Sequence, residues 1–241
     1  MRRAIVLAGG KGTRLKPYTV VFPKPMLPIG GKPILETILR QLSYFNFGKV
    51  TLSLGYMPEI IQTYFEAIDS KERLPLLDYF IEDKELGTAG PVKAIDPEEN
   101  DFLVMNGDIL STLNLKALFD FHVTSGAILT LAVRHKEYQL PLGVIEFDDD
   151  GNISAFKEKP IVSYFDNLGI YIYNHKVLKY IENGARCDVN DLVNLLIKKG
   201  EKVAAYQSED PYYWIDIGRH GDYELANEEF EKISEQFVFL K

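Results

Sequence analysis

The 241-residue chain has a single cysteine, Cys187, so no internal disulfide can form and the fold must be held by its packed core. It has no apolar run approaching the roughly eighteen residues that span a bilayer, so no membrane segment is expected. Its N-terminus lacks a signal peptide's apolar stretch and small-residue cleavage site and enters directly on a strand pattern. The lack of a signal peptide and of any cysteine pair favours the cytoplasm. Positive charge is also scarce: 27 Lys and Arg stand against 35 Asp and Glu, a net charge of -8. Non-specific binding to nucleic acid relies on many Lys and Arg contacts to phosphate, so no nucleic-acid partner is expected. Any phosphate chemistry must be local, on a small ligand. Internal repeats, low-complexity segments and linkers are missing too, which predicts one domain over residues 1–241. The 46% hydrophobic and 26% charged content is that of an ordinary soluble globular enzyme.

What is present begins at the N-terminus. A short apolar run, Ala4 to Leu7, leads into Gly9, Gly10 and Gly12, then Thr13 and Arg14, with Lys24 following in Pro23-Lys24-Pro25. Glycines at the carboxyl end of a strand let bare backbone N–H groups approach phosphate oxygens, and Arg14 and Lys24 add charge where a polyphosphate would sit. The loop fits neither common nucleotide fingerprint: it lacks Gly-x-x-x-x-Gly-Lys-Ser/Thr, and Leu15 stands where Gly-x-Gly-x-x-Gly needs its third glycine. That missing glycine, and the lack of an acidic residue about twenty positions on, argue against a nicotinamide-dependent oxidoreductase.

The periodicity predicts helices at Leu35–Phe45, Met57–Phe65 and Thr88–Ile95, alternating with strands at Val50–Leu54, Leu76–Ile81 and Asp101–Met105. Such β-α-β alternation points to a parallel sheet whose ligands gather beyond the strands' carboxyl ends. The strand from Asp101 runs into Asn106-Gly107-Asp108, a polar turn that carries a carboxylate to that edge. The second half reads as more antiparallel. It has a helix at Leu115–Val123, a strand at Ile128–Val133 and a hairpin of Gly143–Phe147 with Ile153–Lys157 around Asp148-Asp149-Asp150. A strand at Asn167–Tyr173, a helix at Asp191–Lys199, a strand ending at Asp216 and an amphipathic helix at Tyr223–Phe237, with Leu225, Phe230 and Ile233 inward, complete it. The acidic triplet is followed by Gly151-Asn152 and reads as a solvated turn. The terminal Phe237-Val238-Phe239-Leu240 suits either core packing or a subunit contact.

Taken together, Leu7-Ala8-Gly9-Gly10-Lys11-Gly12-Thr13-Arg14-Leu15, Pro23-Lys24-Pro25-Met26-Leu27-Pro28 and Gly31-Lys32-Pro33 resemble the signature of nucleoside-diphosphate-sugar pyrophosphorylases, the sugar-1-phosphate nucleotidyltransferases. The likeness continues through Leu86-Gly87-Thr88-Ala89, Asn106-Gly107-Asp108, Glu158-Lys159-Pro160, Asn167-Leu168-Gly169-Ile170-Tyr171 and Trp214-Ile215-Asp216-Ile217-Gly218, over nearly the whole chain. The resemblance implies an α/β fold: a Rossmann-like mixed, largely parallel sheet with helices on both faces, nucleotide-binding up to about residue 110 and sugar-binding from 111 to 241. It also implies a reaction in which a sugar 1-phosphate attacks the α-phosphorus of a nucleoside triphosphate, with Mg²⁺, within nucleotide-sugar biosynthesis.

By the same resemblance, Leu7, Ala8, Gly9, Gly10, Gly12, Thr13, Gly87 and Thr88 would cradle the nucleotide. Arg14 would hold the departing pyrophosphate, Lys24 the α-phosphate, and Asp108 and Asp216 the metal. Asn106, Gly143, Glu158, Lys159 and Asn167 would line the acceptor pocket, which Leu168, where the family usually has a small residue, would reshape. Glu82 occupies a slot where uridylyl- and thymidylyltransferases often carry Gln. A carboxylate only accepts, which suits the N1–H and N2–H₂ donors of guanine, so the guanylyltransferase branch with GTP is favoured. Uridylyl-, cytidylyl- and thymidylyltransferases, and a non-catalytic regulatory paralogue, are the alternatives. Many relatives continue into a hexapeptide-repeat β-helix. The stretch from Lys202 shows no such period, so a single-function transferase, monomer or homodimer, is expected.

Overall fold

The computed structural model describes residues 2–68 and 74–240. Its centre is β1 (Arg2–Ala8), whose Ala4, Ile5 and Val6 are fully buried because both faces of the strand are covered. The chain then forms α1 (Ile34–Tyr44), β2 (Phe47–Leu54), α2 (Pro58–Ala67), β3 (Leu76–Ile81), α3 (Gly90–Ile95) and β4 (Asp101–Asn106). Next come β5 (Ile109–Ser111), α4 (Leu115–Ser125), β6 (Leu129–Gln139), β7 (Val144–Phe147), β8 (Ile153–Lys157) and β9 (Ile161–Asn174). The last elements are α5 (Val189–Lys198), β10 (Val203–Tyr206), β11 (Trp214–Asp216) and α6 (His220–Ile233).

Seven strands make one sheet in the order β10-β6-β9-β4-β1-β2-β3. The pairs β1–β2, β1–β4, β2–β3 and β6–β10 are parallel, while β9 runs antiparallel to both β4 and β6. The sheet is thus mixed and largely parallel, as the alternating pattern predicts, and the β4–β9 pairing joins the two halves of the chain. Buried clusters cover both faces, one built on Leu35, Ile38 and Leu42 of α1 and the other on Leu192 and Leu196 of α5. The fourfold and threefold spacing in each helix is what a single buried stripe requires. No helix of the described residues is long and apolar enough to cross a membrane.

Three readings need correction. Strands β6 and β9 extend to Gln139 and back to Ile161, well past the segments marked by hydrophobicity, because this ribbon exposes Tyr138, Val162 and Phe165 and its pattern marks no buried face. In α6 the buried residues are Ala226 and Phe230, and Leu225, expected inward, is exposed one residue around the helix. The helix also stops at Ile233: Phe237 lies in a separate turn, fully buried against Phe230 at 5.2 Å and Phe239 at 5.6 Å between ring centroids.

The edge opposite the glycine loop holds a buried histidine. His122 of α4 has Nδ1 2.8 Å from Thr130 Oγ1 and Nε2 3.3 Å from Asp101 Oδ1, which also accepts from Asn174 Nδ2 at 2.7 Å. The neutral ring satisfies both contacts, accepting from Thr130 and donating to Asp101. Burial holds its pKa below the usual value, against the opposing pull of Asp101. The unfolded chain therefore takes up a proton at higher pH than the folded one, so stability is lost as pH falls below the ordinary histidine pKa of about 6.5 and is fully present above it. Melting temperature should rise between about pH 5 and 7 and then level off. The His122→Gln variant should lose most of that rise. An unchanged slope in the variant would assign the pH dependence elsewhere.

Candidate active site

The glycine loop is shaped by one close approach. Gly12 has φ +58°, and a Cβ there would lie 3.0 Å from Lys24 Cβ and from Thr19 Cγ2. Only a bare glycine lets the arm from Lys16 fold back over the loop. Thr19 Oγ1 donates to the Gly12 carbonyl at 2.8 Å, and the Tyr18 ring rests 5.7 Å from both His220 and Tyr223 of α6. The arm ends in a short helical turn at Lys24–Met26, where Met26 N donates to Pro23 O at 2.8 Å and Lys24 is buried. The N–H groups of Gly10, Lys11, Thr13 and Arg14 have no acceptor among the described residues. Four bare donors around a left-handed residue make a concavity suited to phosphate oxygens.

The two expected metal carboxylates meet through a short ribbon. After β4, Gly107 N donates to Leu7 O at 2.8 Å, which turns the chain so that Asp108 leads into β5. Strand β5 pairs antiparallel with β11, setting Ile109 opposite Asp216, and Ile217 N donates to Asp108 O at 3.1 Å. Between the two carboxylates lies the Lys24 ammonium, ion-paired to Asp108 Oδ2 and 3.7 Å from Asp216 Oδ1. Asp108 Oδ1 is buried and has no partner. Burial, and then the charge of Asp108, push the Asp216 carboxyl above its ordinary range, against the pull of Lys24 and Arg14. Two carboxylates share one ammonium, and an orphaned oxygen remains.

That donor set fits a divalent ion. Among the described residues no group of three or more His, Cys, Asp or Glu could hold a metal alone. Two carboxylates with room for waters and substrate phosphates match the habit of Mg²⁺, which resists full dehydration and is seldom caged by protein alone.

Two cavities flank this cluster. The first, of about 300 Å³, touches Asp108 and is lined by Leu7, Gly9, Gly10, Glu82, Gly87, Thr88 and Asn106, so most of the expected nucleotide residues converge. Ala8 lies buried beneath it and Gly12 supports Lys24. The Glu82 carboxylate accepts from Ser53 Oγ at 2.7 Å and from Leu86 N at 3.3 Å. A Cβ on Gly9 would come within 2.7 Å of Glu82 Oε1. The acid is therefore fixed against the glycine loop with lone pairs to spare.

Sequence reasoning missed Ser53 and the Arg186–Asp188 segment. Cys187 O accepts from Ala89 N at 2.8 Å and Gly90 N at 3.1 Å, Cys187 N donates to Leu86 O at 2.9 Å, and Asp188 Oδ1 accepts from Thr88 N at 3.1 Å. Val189 N donates to Thr88 Oγ1 at 2.8 Å. The loop from Leu86 to Gly90 is thus clamped by a segment a hundred residues away in sequence. The available signal was local only: an aspartate just before the helical pattern of α5.

The second cavity, of about 540 Å³, touches Asp216 and Arg14 and is bordered by Arg134, Lys136, Trp214 and Arg219. The expected acceptor residues lie elsewhere. Asn167 is engaged within β9, its Nδ2 donating to Tyr171 Oη at 2.8 Å and its Oδ1 accepting from Gly169 N at 3.0 Å. Gly143 and Glu158 come together, since a Cβ on Gly143 would lie 3.2 Å from Glu158 Oε2. Glu158 and Lys159 stand exposed beside the β7–β8 hairpin and line neither cavity. The Leu168 expectation is corrected outright: its side chain is fully buried in the core, and it meets the site only through its carbonyl, which accepts from Trp214 Nε1 at 3.0 Å.

The family model described as "Nucleotidyl transferase" matches residues 3–233. The chain belongs to the nucleotidyl transferase family. Curated relatives include a UTP–glucose-1-phosphate uridylyltransferase of Synechocystis, 35% identical, covering 92% of this chain and 61% of that protein. A mannose-1-phosphate guanylyltransferase of Mycobacterium tuberculosis is 33% identical, covering 91% of this chain and 62% of that protein. The chain therefore spans about six tenths of the length of these family members. Among solved structures, HddC from Yersinia pseudotuberculosis complexed with GMP-PN superposes with a TM-score of 0.71 at 28% identity, covering 95% of this chain and all of that one.

The clamp on the nucleotide-side loop gives a direct test. Gly87 has φ +78°, and a Cβ would sit 2.6 Å from both Cys187 O and Asp188 Oδ1. Gly87→Ala should weaken binding of a nucleoside triphosphate at least about tenfold, as strain of roughly 1–3 kcal/mol is released by moving the loop. Gly151→Ala, at the hairpin tip with φ +84° and nothing within 4 Å, serves as the control and should leave binding unchanged. Equal affinities for the two variants by calorimetry would remove this loop from the site.

Proposed function

We propose that this chain transfers a nucleotidyl group from a nucleoside triphosphate, GTP being favoured, to a sugar 1-phosphate, releasing pyrophosphate. The observation that carries the reading is the buried Lys24 ammonium held between Asp108 and Asp216, with one cavity on each side. An oxygen of the sugar phosphate attacks the α-phosphorus in line. The bond from that phosphorus to the oxygen bridging toward the β-phosphate breaks, and its electron pair leaves with pyrophosphate. No protein nucleophile is needed, so the chain's residues act by positioning and by neutralising charge. Lys24 meets the charge that builds on the α-phosphate, and Arg14 and the bare N–H groups of the glycine loop hold the leaving phosphates. Asp108 and Asp216 would hold Mg²⁺, which supplies Lewis-acid neutralisation of phosphate oxygens when bound. The exposed Glu158 and Lys159, with Gly143 and Asn167, are assigned to the acceptor by resemblance.

The nucleotide preference rests on Glu82. Its carboxylate lines the Asp108-side cavity and, after accepting from Ser53 Oγ and Leu86 N, keeps lone pairs free, the complement of guanine's N1–H and N2–H₂ edge. Relatives named for uridylyl and for guanylyl transfer support the reaction class, and the GMP-PN complex of HddC supports a guanine nucleotide. A regulatory, non-catalytic reading is disfavoured because Arg14, Lys24, Asp108, Lys159 and Asp216 are all retained.

Pyrophosphate release measured with GTP, UTP, CTP and dTTP against a panel of sugar 1-phosphates tests both levels. The fastest turnover is expected with GTP, and Asp108→Asn should lower kcat by about 10²–10³ while nucleotide still binds. Equal rates with all four triphosphates would sink the guanine assignment. Nucleotide binding without turnover for any pair would favour the regulatory reading.

A further inference from the structure

The cavity beside Asp216 carries more positive charge than the expected residues account for, and its four cations differ in kind. Arg134 is bidentate to Asp166, with Nε 3.2 Å from Oδ1 and Nη2 2.7 Å from Oδ2, and its guanidinium lies 4.4 Å from the centre of the Trp214 ring. Lys136 reaches the same carboxylate at 3.8 Å. These two share one carboxylate, which holds Arg134 in place. The guanidinium groups of Arg14 and Arg219, by contrast, make no hydrogen bond or ion pair among the described residues. Both border the cavity, and Arg14 Nη2 would lie 3.8 Å from a Cβ on Gly218, the residue before Arg219.

Two guanidiniums without an ion pair thus border one cavity, and each presents a planar fork that matches phosphate oxygens. The cavity's own carboxylates do not fill those forks. Asp166 is taken by Arg134 and Lys136; Asp216 feels the charges of both Lys24 and Arg14, and with Asp222 lies near the same Gly218 point as Arg14, yet neither these two nor Glu229 makes an ion pair with either arginine among the described residues. Arg219 is positioned by the backbone: it precedes α6 with φ −140° and its side chain makes no capping bond, so it is not needed to start the helix.

We propose that Arg219, together with Arg14, forms a phosphate subsite on the Asp216 side of the centre, with the Arg134–Asp166–Trp214 assembly as its rigid wall. Resting on the transfer reading above, this adds Arg219 as a phosphate-binding residue of the reaction. The ligand is a phosphate monoester or a diphosphate, which has two sources: the acceptor sugar phosphate and the departing pyrophosphate.

Calorimetry with inorganic pyrophosphate and with mannose 1-phosphate, each in the presence of magnesium, on the wild type and on Arg219→Ala and Arg219→Lys, tests it. Arg219→Ala should bind one of the probes about ten- to a hundredfold more weakly, with an unchanged melting temperature, and Arg219→Lys should recover part of the loss. Weakening confined to pyrophosphate assigns the leaving-group side, and weakening confined to mannose 1-phosphate the acceptor side. A folded Arg219→Ala that binds both probes like the wild type, or a wild type that binds neither, overturns the subsite. Failure of the transfer reading is seen separately, as a wild type that turns over no triphosphate and sugar phosphate pair.

Discussion

One buried ammonium organises this protein. Lys24 is buried between the partly buried Asp108 and the more exposed Asp216, and its charge offsets the repulsion between the two carboxylates. The balance is incomplete, since two negative charges face one positive charge and Asp108 Oδ1 has no partner. The cluster thus remains short of positive charge, which is the condition the proposed reading needs for a divalent ion and phosphates to bind there. Removing the lysine would leave the half-buried Asp108 and the exposed Asp216 facing each other without the cation between them, and the arm that carries it is fixed at several points.

The fold exists to bring that cluster to one edge of the sheet. Strand β1 supplies the glycine loop at its carboxyl end, and β4, its parallel neighbour, delivers Asp108 at the same height. The antiparallel β5–β11 ribbon brings in Asp216 from the far end of the chain. The arm from Lys16 to Lys24 closes over the loop at Gly12 and is steadied by Tyr18 against α6. Parallel strands with helical crossovers place their loops on one edge, and the site occupies that edge.

The parts legible in the sequence were those whose chemistry coincides with a local pattern. A strand followed by three glycines, an arginine and a proline-flanked lysine reads as a phosphate grip, and an apolar strand breaking at Asn106-Gly107-Asp108 announces a carboxylate at a strand end. Arg186, Asp188, Arg134 and Arg219 were not legible, because each gains its meaning from a partner brought close by the fold: Arg186 from Glu85, Asp188 from Thr88, Arg134 from Asp166 and Trp214, and Arg219 from Arg14 in the lining of one cavity. The long β6–β9 ribbon escaped notice for a different reason, since exposed aromatics on it give no buried face for a period-two pattern to mark. Leu168 was misplaced because a motif position fixes the backbone, and here the backbone turns the side chain into the core.

The measurement that bears most directly on the role of the buried ammonium is single-turnover pyrophosphate release by Lys24→Met, a replacement of similar length without charge, compared with the wild type at saturating magnesium and nucleotide. A fall of at least about a thousandfold in rate, with nucleotide affinity changed only a few-fold, is the expected result, because in the proposed transfer the charge Lys24 would meet develops mainly in the transition state. A variant that is folded and reacts at the wild-type rate would contradict the account.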